Sequence, residues 1–193
     1  MTKKLQRFFG FAAFAAFVFL TGCAVAPPPP VNYSVPNVGI SRVKLDAELR
    51  SINVSYANQR EATGKIPATA VRTPELWKSA LEGALNNMVV FRDDAMRKVN
   101  LMVKITRFEP AESGIDMVAN AEARYDIVDR SNGDIIYSQN VSTSGKMTMG
   151  ENINGLARII EATNIAVRNN IATFLQSLET VDMSKPMFPA NLK

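Results

Sequence analysis

The alternation of apolar and polar positions predicts four strands and two helices downstream of residue 50. Apolar residues recur at every second position in four segments, as expected for strands with one buried face. In two other segments they recur every three or four positions, which is typical of an amphipathic helix. The predicted strands cover 51–56, 100–108, 115–128 and 135–143, and the predicted helices cover 73–88 and 154–178.

The third strand has the clearest two-sided pattern. One face is apolar or small at every second position from Ile115 to Ile127. The other face carries polar residues, namely Asp116, Asn120, Glu122, Arg124 and Asp126. The dipeptide Asn132-Gly133 then indicates a tight hairpin turn into the fourth strand. One apolar and one polar face are expected of an antiparallel sheet that is covered on a single side.

Both helices carry recognisable signals. Thr73 is the predicted N-cap of the first helix, with Pro74 at its first position and the acidic Glu75 in its first turn. The second helix is predicted to begin at Asn154. Its apolar stripe consists of Leu156, Ile159, Ile160, Thr163, Val167, Ile171, Phe174, Leu175 and Leu178.

The element order β-α-β-β-β-α predicts an α+β fold. We expect a two-layer sandwich in which two helices pack on one face of an antiparallel sheet of about four strands. Residues 38–45 alternate in part and are predicted to add an edge strand, whereas the polar segment 58–72 is predicted to be a long loop.

The N-terminal 22 residues have the anatomy of an export signal. Lys3, Lys4 and Arg7 precede an apolar stretch from Phe8 to Leu20, which is shorter than the roughly 18 or more residues that a membrane-spanning helix needs. The apolar stretch leads into Leu20-Thr21-Gly22-Cys23, which resembles a bacterial lipobox and holds the only cysteine of the chain. This resemblance implies cleavage before Cys23, with Leu20, Thr21, Gly22 and Ala24 forming the signal-peptidase recognition site.

The same resemblance implies a covalent diacylglyceryl group and an N-acyl chain on Cys23, and no other cofactor. Ala24 in the next position favours the outer membrane, because in enteric bacteria an Asp there favours retention in the inner membrane. Several acyl chains hold a protein stably on a membrane, whereas one chain does so only marginally. We therefore expect a lipid-anchored envelope protein that faces the periplasm.

These signals divide the chain into four parts. The expected segments are a removed signal peptide (1–22), a lipidated Cys with a Pro-rich spacer (23–36), a globular domain (37–180) and a C-terminal tail (181–193). Consecutive prolines favour an extended, semi-rigid chain, which suits a spacer. A ligand for a proline-recognition domain is the alternative interpretation.

Composition excludes several function classes. The chain has no histidine, which excludes Ser-His-Asp and Cys-His nucleophile systems, His-based zinc sites and a His general base. Removing the leader takes away three basic residues and no acidic one, which lowers the formal charge from +4 to about +1. This near-neutral balance gives no electrostatic support for nucleic-acid binding.

Candidate catalytic motifs are incomplete. Ser41 and Lys44 form a Ser-x-x-Lys, the nucleophile motif of penicillin-binding enzymes, but the accompanying Ser-Asp-Asn and Lys-Thr-Gly elements are absent. Gly64-Lys65 and Gly145-Lys146 lack the upstream glycine of a phosphate-binding loop, which argues against a nucleotide. The acidic clusters are expected to be solvated loop charges, without the spacing of a calcium loop: Asp93, Asp94, Glu109, Glu112 and Asp116.

Two surfaces of the sheet are candidates for binding. The polar side chains of Asn120, Glu122 and Arg124 form a candidate docking face, although any solvated sheet would carry such residues. On the opposite face, the small residues from Ala119 to Ala123 leave room either for a closely packed helix or for an apolar ligand. Trp77 and the methionines follow helical or strand spacing, which favours a role in the core.

The chain also resembles a loose group of small bacterial envelope lipoproteins. This group includes YajG-like lipoproteins, LptE and the auxiliary lipoproteins of ABC-type envelope transport systems. Besides the lipobox, the resemblance is carried by residues 51–56, 100–108 and 123–129. It implies a non-catalytic accessory or scaffolding subunit with an envelope protein partner. The alternatives are a carrier of a lipid or other apolar ligand and, third, an envelope hydrolase that uses Ser41 and Lys44.

Overall fold

The computed structural model describes residues 27–182 and 187–188. The described part contains four strands and two helices in the order β-α-β-β-β-α. These elements are β1 (Glu48–Tyr56), α1 (Thr73–Met88), β2 (Lys98–Glu109), β3 (Met117–Asp129), β4 (Ile135–Met147) and α2 (Gly155–Leu178). The predicted α+β order is therefore confirmed.

The strands form one sheet in the order β1-β2-β3-β4. β2, β3 and β4 pair in antiparallel fashion, as predicted, and the hairpin between β3 and β4 turns through Gly133 with a positive φ of 81°. β1 instead pairs with β2 in parallel, so the sheet is mixed. The cause is the connection: α1 crosses over between the two strands, and such a helical crossover brings the chain back in the same direction.

The core lies between the sheet and the two helices. α1 packs on β1, and α2 packs on β4 and β3. The apolar face of β3 is buried from Met117 to Ile127, as predicted, but Ile115 precedes the strand and is exposed. Leu156 in the first turn of α2 is also exposed, although it belongs to the predicted apolar stripe.

The predicted edge strand at 38–45 is wrong. Only Leu45 forms a bridge, to Phe91, and the backbone N–H groups of Ser41 and Leu45 donate to the carbonyl oxygens of Met88 and Val90. The segment therefore follows the chain that leaves α1. Its backbone hydrogen bonds are used there, so the segment does not extend the sheet.

Thr73 is not the N-cap of α1. Arg72 occupies that position without a side-chain capping bond, and Pro74 lies in the first turn as predicted. Thr73 is buried beside the phenol groups of Tyr33 and Tyr56, and the Tyr56 hydroxyl donates to the carbonyl of Ala70 at 2.7 Å. In α2 the cap is Asn154, whose side-chain oxygen accepts from the N–H of Ala157 at 3.2 Å.

Residues 30–42 form a strap that runs along α2, and we call it the N-terminal strap. The N–H of Asn32 donates to Oδ1 of Asn164 at 3.0 Å, and Nδ2 of Asn164 donates to the carbonyl of Pro30 at 3.2 Å. Tyr33 is only 4% exposed and meets Trp77 of α1 edge-on, with ring centroids 6.5 Å apart. The strap thus joins both helices, and the packed body reaches into the range we assigned to the spacer.

Candidate functional surfaces

The predicted lipid-attachment site lies outside the described residues. Cys23 and its neighbours Leu20, Thr21, Gly22 and Ala24 precede Pro27, the first residue that the structure describes. Among residues 27–182 and 187–188, no helix has the length and apolar character needed to cross a membrane. Anchoring by Cys23 therefore remains a prediction from the sequence.

The three residues of the candidate docking face lie together on the open side of the sheet. Asn120, Glu122 and Arg124 alternate with buried residues along β3, and each is half-buried. Nδ2 of Asn120 donates to Glu109 at 3.3 Å, and Nε of Arg124 donates to Asp126 at 3.0 Å. The alternation in the sequence was therefore sufficient to bring these three side chains to one surface.

Ion pairs dominate the electrostatics of this open face. Arg107 contacts Glu109 at 2.6 Å, and Lys104 contacts Glu61 at 2.5 Å. The hydrogen bond from Arg107 lowers the pKa of Glu109, and the bond from Lys104 likewise lowers the pKa of Glu61. Both carboxylates are charged at neutral pH, whereas a general acid needs a raised pKa. The charges of Glu61 and Glu109 are thus held in ion pairs with basic neighbours on the same face.

The helix-facing side of the sheet is closely packed. Ala119, Ala121 and Ala123 are fully buried. A Cβ placed on Gly145 of β4 would lie 2.1 Å from the carbonyl oxygen of Ala162 in α2, so the backbones of strand and helix are in direct contact. The small residues therefore accommodate a helix, and the apolar ligand groove considered as the alternative is filled by α2.

A buried polar network crosses this packed layer. Nε1 of Trp77 donates to the hydroxyl of Tyr125 at 3.2 Å, and that hydroxyl donates to Oδ1 of Asn170 at 2.9 Å. Nδ2 of Asn170 donates to the carbonyl of Val141 at 2.8 Å. The ring of Tyr125 stacks on Phe174 with centroids 4.1 Å apart, and burial raises the pKa of Tyr125. Trp77 thus belongs to the core, as the spacing predicted.

Sequence reasoning missed the two buried asparagines of α2. Asn164 holds the N-terminal strap, and Asn170 joins the Tyr125 network. Both are almost completely buried, although polar residues are mostly exposed in helices. A signal was present for Asn170, because it lies three residues after Val167 and four before Phe174, on the apolar stripe.

The structure separates the two residues of the Ser-x-x-Lys motif. The hydroxyl of Ser41 donates to the carbonyl of Val43 at 2.7 Å, and Nζ of Lys44 donates to the carbonyl of Val89. The lysine therefore has a different partner, and Ser41 is buried against its own backbone. This arrangement provides no activated nucleophile.

The other candidate motifs do not assemble a site. Gly145-Lys146 lies in the extended strand β4, and Gly64 lies against the side chain of Arg107. Each of three acidic residues forms an ion pair with a different base: Asp94 with Arg92, Glu109 with Arg107, and Asp116 with Lys146. Within the described part of the chain, no cluster of acidic or thiol ligands is able to hold a metal ion.

A cleft of about 540 Å³ opens between the N-terminal strap and the C-terminal half of α2. Apolar side chains from both walls line it, including Val35, Ile40 and Leu175. Arg42, Gln176 and Glu179 add polar groups. Its size and mixed lining fall within the range of small-molecule sites, so this cleft is a second candidate surface.

No protein-family model and no curated protein matches this chain. Among solved structures, it is similar to protein XCC0632 (DUF330) from Xanthomonas campestris, with 12% identity over 80% of this chain and 96% of that one, and a TM-score of 0.47. A dodecameric PelC variant from Paraburkholderia phytofirmans gives 16% identity over 76% and 92%, with a TM-score of 0.42. Lipoprotein GNA1162 from Neisseria meningitidis gives 15% over 64% and 97%, with a TM-score of 0.28. These values describe a distant likeness of fold.

Proposed function

We propose that this chain is a non-catalytic lipoprotein of the bacterial envelope that serves as an accessory or scaffolding subunit of an assembly or transport complex. The observation that carries the proposal is Leu20-Thr21-Gly22-Cys23 after a basic and then apolar leader. In this proposal, lipid on Cys23 anchors the protein in the outer membrane, and the domain faces the periplasm. A second protein of the envelope is its partner.

The way the chain enters the domain supports a tethering role. The N-terminal strap is hydrogen-bonded to α2 through Asn164 and Arg168 and is packed against Trp77 of α1. A force applied at the N-terminus would therefore be transmitted to both helices. Such a connection suits a domain held at a fixed site near a membrane.

The chemistry of the described side chains supports a non-catalytic role. Ser41 and Lys44 have separate partners, and the pKa values of Glu61 and Glu109 are lowered by their basic neighbours. We assign partner binding to the open sheet face around Asn120, Glu122 and Arg124. Alternating charges on such a face give orientation and specificity to a protein contact.

Replacing Cys23 with Ser should abolish lipid attachment and leave an unprocessed precursor. The sulfur atom of the Cys23 thiol receives the lipid, so a hydroxyl in its place gives no anchor. The measurement is metabolic labelling with a radioactive fatty acid, together with the mass of the purified protein. Ala24→Asp is the matched control: it keeps the thiol, so labelling should persist. Labelling of Cys23→Ser would contradict the anchor.

A photo-crosslinking residue in place of Glu122 should capture the partner in intact cells. Position 122 lies at the centre of the open sheet face, between Asn120 and Arg124. The same residue in place of Lys78, which is exposed on α1, serves as the control. One stoichiometric product through position 122 and none through 78 is the expected result. Products through 78 alone would assign docking to the helices.

A carrier of an apolar ligand is the second candidate function. The specific observation is the cleft beside the N-terminal strap, with Val35, Ile40 and Leu175 on its walls. The face of β3 around Ala121 offers no second groove, because α2 packs directly on it. The test is native mass spectrometry of the protein purified for the crosslinking experiment. A non-covalently bound lipid, retained in stoichiometric amount, would favour this function over the first.

A further inference from the structure

Five large apolar side chains are exposed at one end of the domain. They belong to two segments, residues 110–118 and 148–156, each of which consists of a loop and the first two residues of the element that follows it, β3 or α2, and we call these segments the apolar end loops. Their exposure ranges from 47% for Val118 to 86% for Ile153. The five residues are Ile115, Val118, Met149, Ile153 and Leu156. A group of large apolar side chains exposed at one end of a domain marks a contact with a protein or a membrane.

The sheet and α2 place these loops side by side. Met117, at the start of β3, pairs with Met147, at the end of β4, so the flanking loops leave the same end of the sheet. Asp116, just before β3, forms an ion pair at 2.6 Å with Lys146, near the end of β4. Gly155, the first residue of α2, lies against Met117, because a Cβ added there would be 4.0 Å from its terminal methyl group.

Arg158 fixes the two loops to each other. Arg158 is only 6% exposed. Its guanidinium donates to the carbonyl of Asn152 at 2.9 Å and to the carbonyl of Gly114 at 3.2 Å. Each carbonyl belongs to a different apolar end loop. The exposed side chains are therefore presented by a crosslinked scaffold, which is what a preformed contact surface requires.

The direction of the N-terminal strap brings a tether at the N-terminus within reach of this same end. Asn164 contacts Pro30, whereas residues 35–39 lie beside the later part of α2, near residues 172–179. Going backwards along the strap thus leads towards the first turn of α2. Asn164 is about 14 Å along the helix from Gly155, and the seven residues from Cys23 to Pro30 can span up to about 25 Å. A lipid on Cys23 is therefore within reach of the apolar end loops.

The charges around the loops favour an uncharged apolar occupant. Glu112, Asp116 and Glu151 are balanced in part by Lys146 and the buried Arg158. This mixture lacks the basic cluster that binds anionic headgroups. Contact would therefore depend on apolar burial and would persist at high salt.

We infer that the apolar end loops insert into the interfacial layer of the bilayer that holds the lipid anchor. This inference rests on the proposed lipid attachment to Cys23. An interfacial apolar surface enters the headgroup and acyl boundary by roughly 5–10 Å. Because the loops lie at one end of the strands, the strands then point away from the membrane. The open sheet face then lies along the side of the domain, where it is accessible to a partner.

The depth of the loops can be measured with the full lipidated chain in phosphatidylcholine vesicles. Cys23 carries lipid in that protein, so Ile153→Cys provides the only free thiol for an environment-sensitive fluorophore. Met96→Cys is the matched control, because Met96 is apolar, 95% exposed and precedes β2 at the opposite end of the sheet. Both proteins are compared in vesicles with and without brominated acyl chains, at low and high salt.

The label at position 153 should be quenched by brominated lipid at both salt concentrations, and the label at 96 should not. Equal quenching at both positions, or none at either in a protein that floats with the vesicles, would overturn the inference while leaving the anchor in place. Quenching that disappears at high salt would also overturn it. A protein whose mass shows no lipid would overturn both the proposed function and this inference.

Discussion

Replacing Gly145 with Ala should lower the free energy of unfolding by about 3 kcal/mol, at the upper end of what overpacking a core usually costs. The added methyl carbon would lie 2.1 Å from the carbonyl oxygen of Ala162 and 2.4 Å from the amide nitrogen of Ala166. Both neighbours are backbone atoms of α2, which cannot rotate away as a side chain can. The helix would have to move away from β4 as a unit.

Gly83→Ala is the matched control for this substitution. Gly83 lies inside α1, and a Cβ there would meet nothing within 4 Å. The same change should therefore raise the free energy of unfolding, by about 0.5–1 kcal/mol, because alanine loses less backbone entropy in a helix. Urea unfolding followed by the fluorescence of Trp77, the single tryptophan, measures both. A Gly145→Ala protein as stable as the parent would contradict the close contact.

The strands could be predicted because their signal is local. Alternation along β3 depends only on which residues face the core, and it correctly placed Asn120, Glu122 and Arg124 on one surface. The parallel pairing of β1 with β2 depends on the path of α1, which alternation does not encode. Residues 38–45 alternate as well, yet their backbone bonds go to the chain after α1.

The exposure of the apolar end loops and the docking of the N-terminal strap could not be predicted, for a different reason. Ile115 and Leu156 continue the apolar periods of β3 and α2 beyond the point where packing ends, so their exposure is invisible in the pattern. The proline-rich composition before Tyr33 indicates an extended chain, but it does not show that the chain is docked. That docking depends on Asn164, a polar residue on a distant helix.

Replacing Asn170 with Leu should also lower the free energy of unfolding by about 3 kcal/mol, because each buried polar group left without a partner costs roughly 1–3 kcal/mol. The substitution keeps the approximate volume but removes the acceptor of the Tyr125 hydroxyl and the donor to the carbonyl of Val141. Trp77 fluorescence in a urea titration is again the measurement, since Trp77 donates to that hydroxyl.

Asn169→Leu is the control on the same helix. Asn169 is exposed, and its side chain donates to the carbonyl of Ser144 at 3.1 Å, so loss of the side-chain amide should change the free energy of unfolding by less than about 0.5 kcal/mol. Equal effects at positions 169 and 170 would show that the buried network contributes nothing specific.

The double variant Asn170→Leu with Tyr125→Phe separates hydrogen bonding from packing. If the cost at position 170 comes from the orphaned hydroxyl of Tyr125, removing that hydroxyl should make the double variant less unstable than the sum of the single changes. The ring of Tyr125 would keep its stack on Phe174 in either case. Additive costs would instead place the effect in the contacts of Asn170 with β4. Whether this coupling differs from zero therefore decides which partner of Asn170 holds α2 on the sheet.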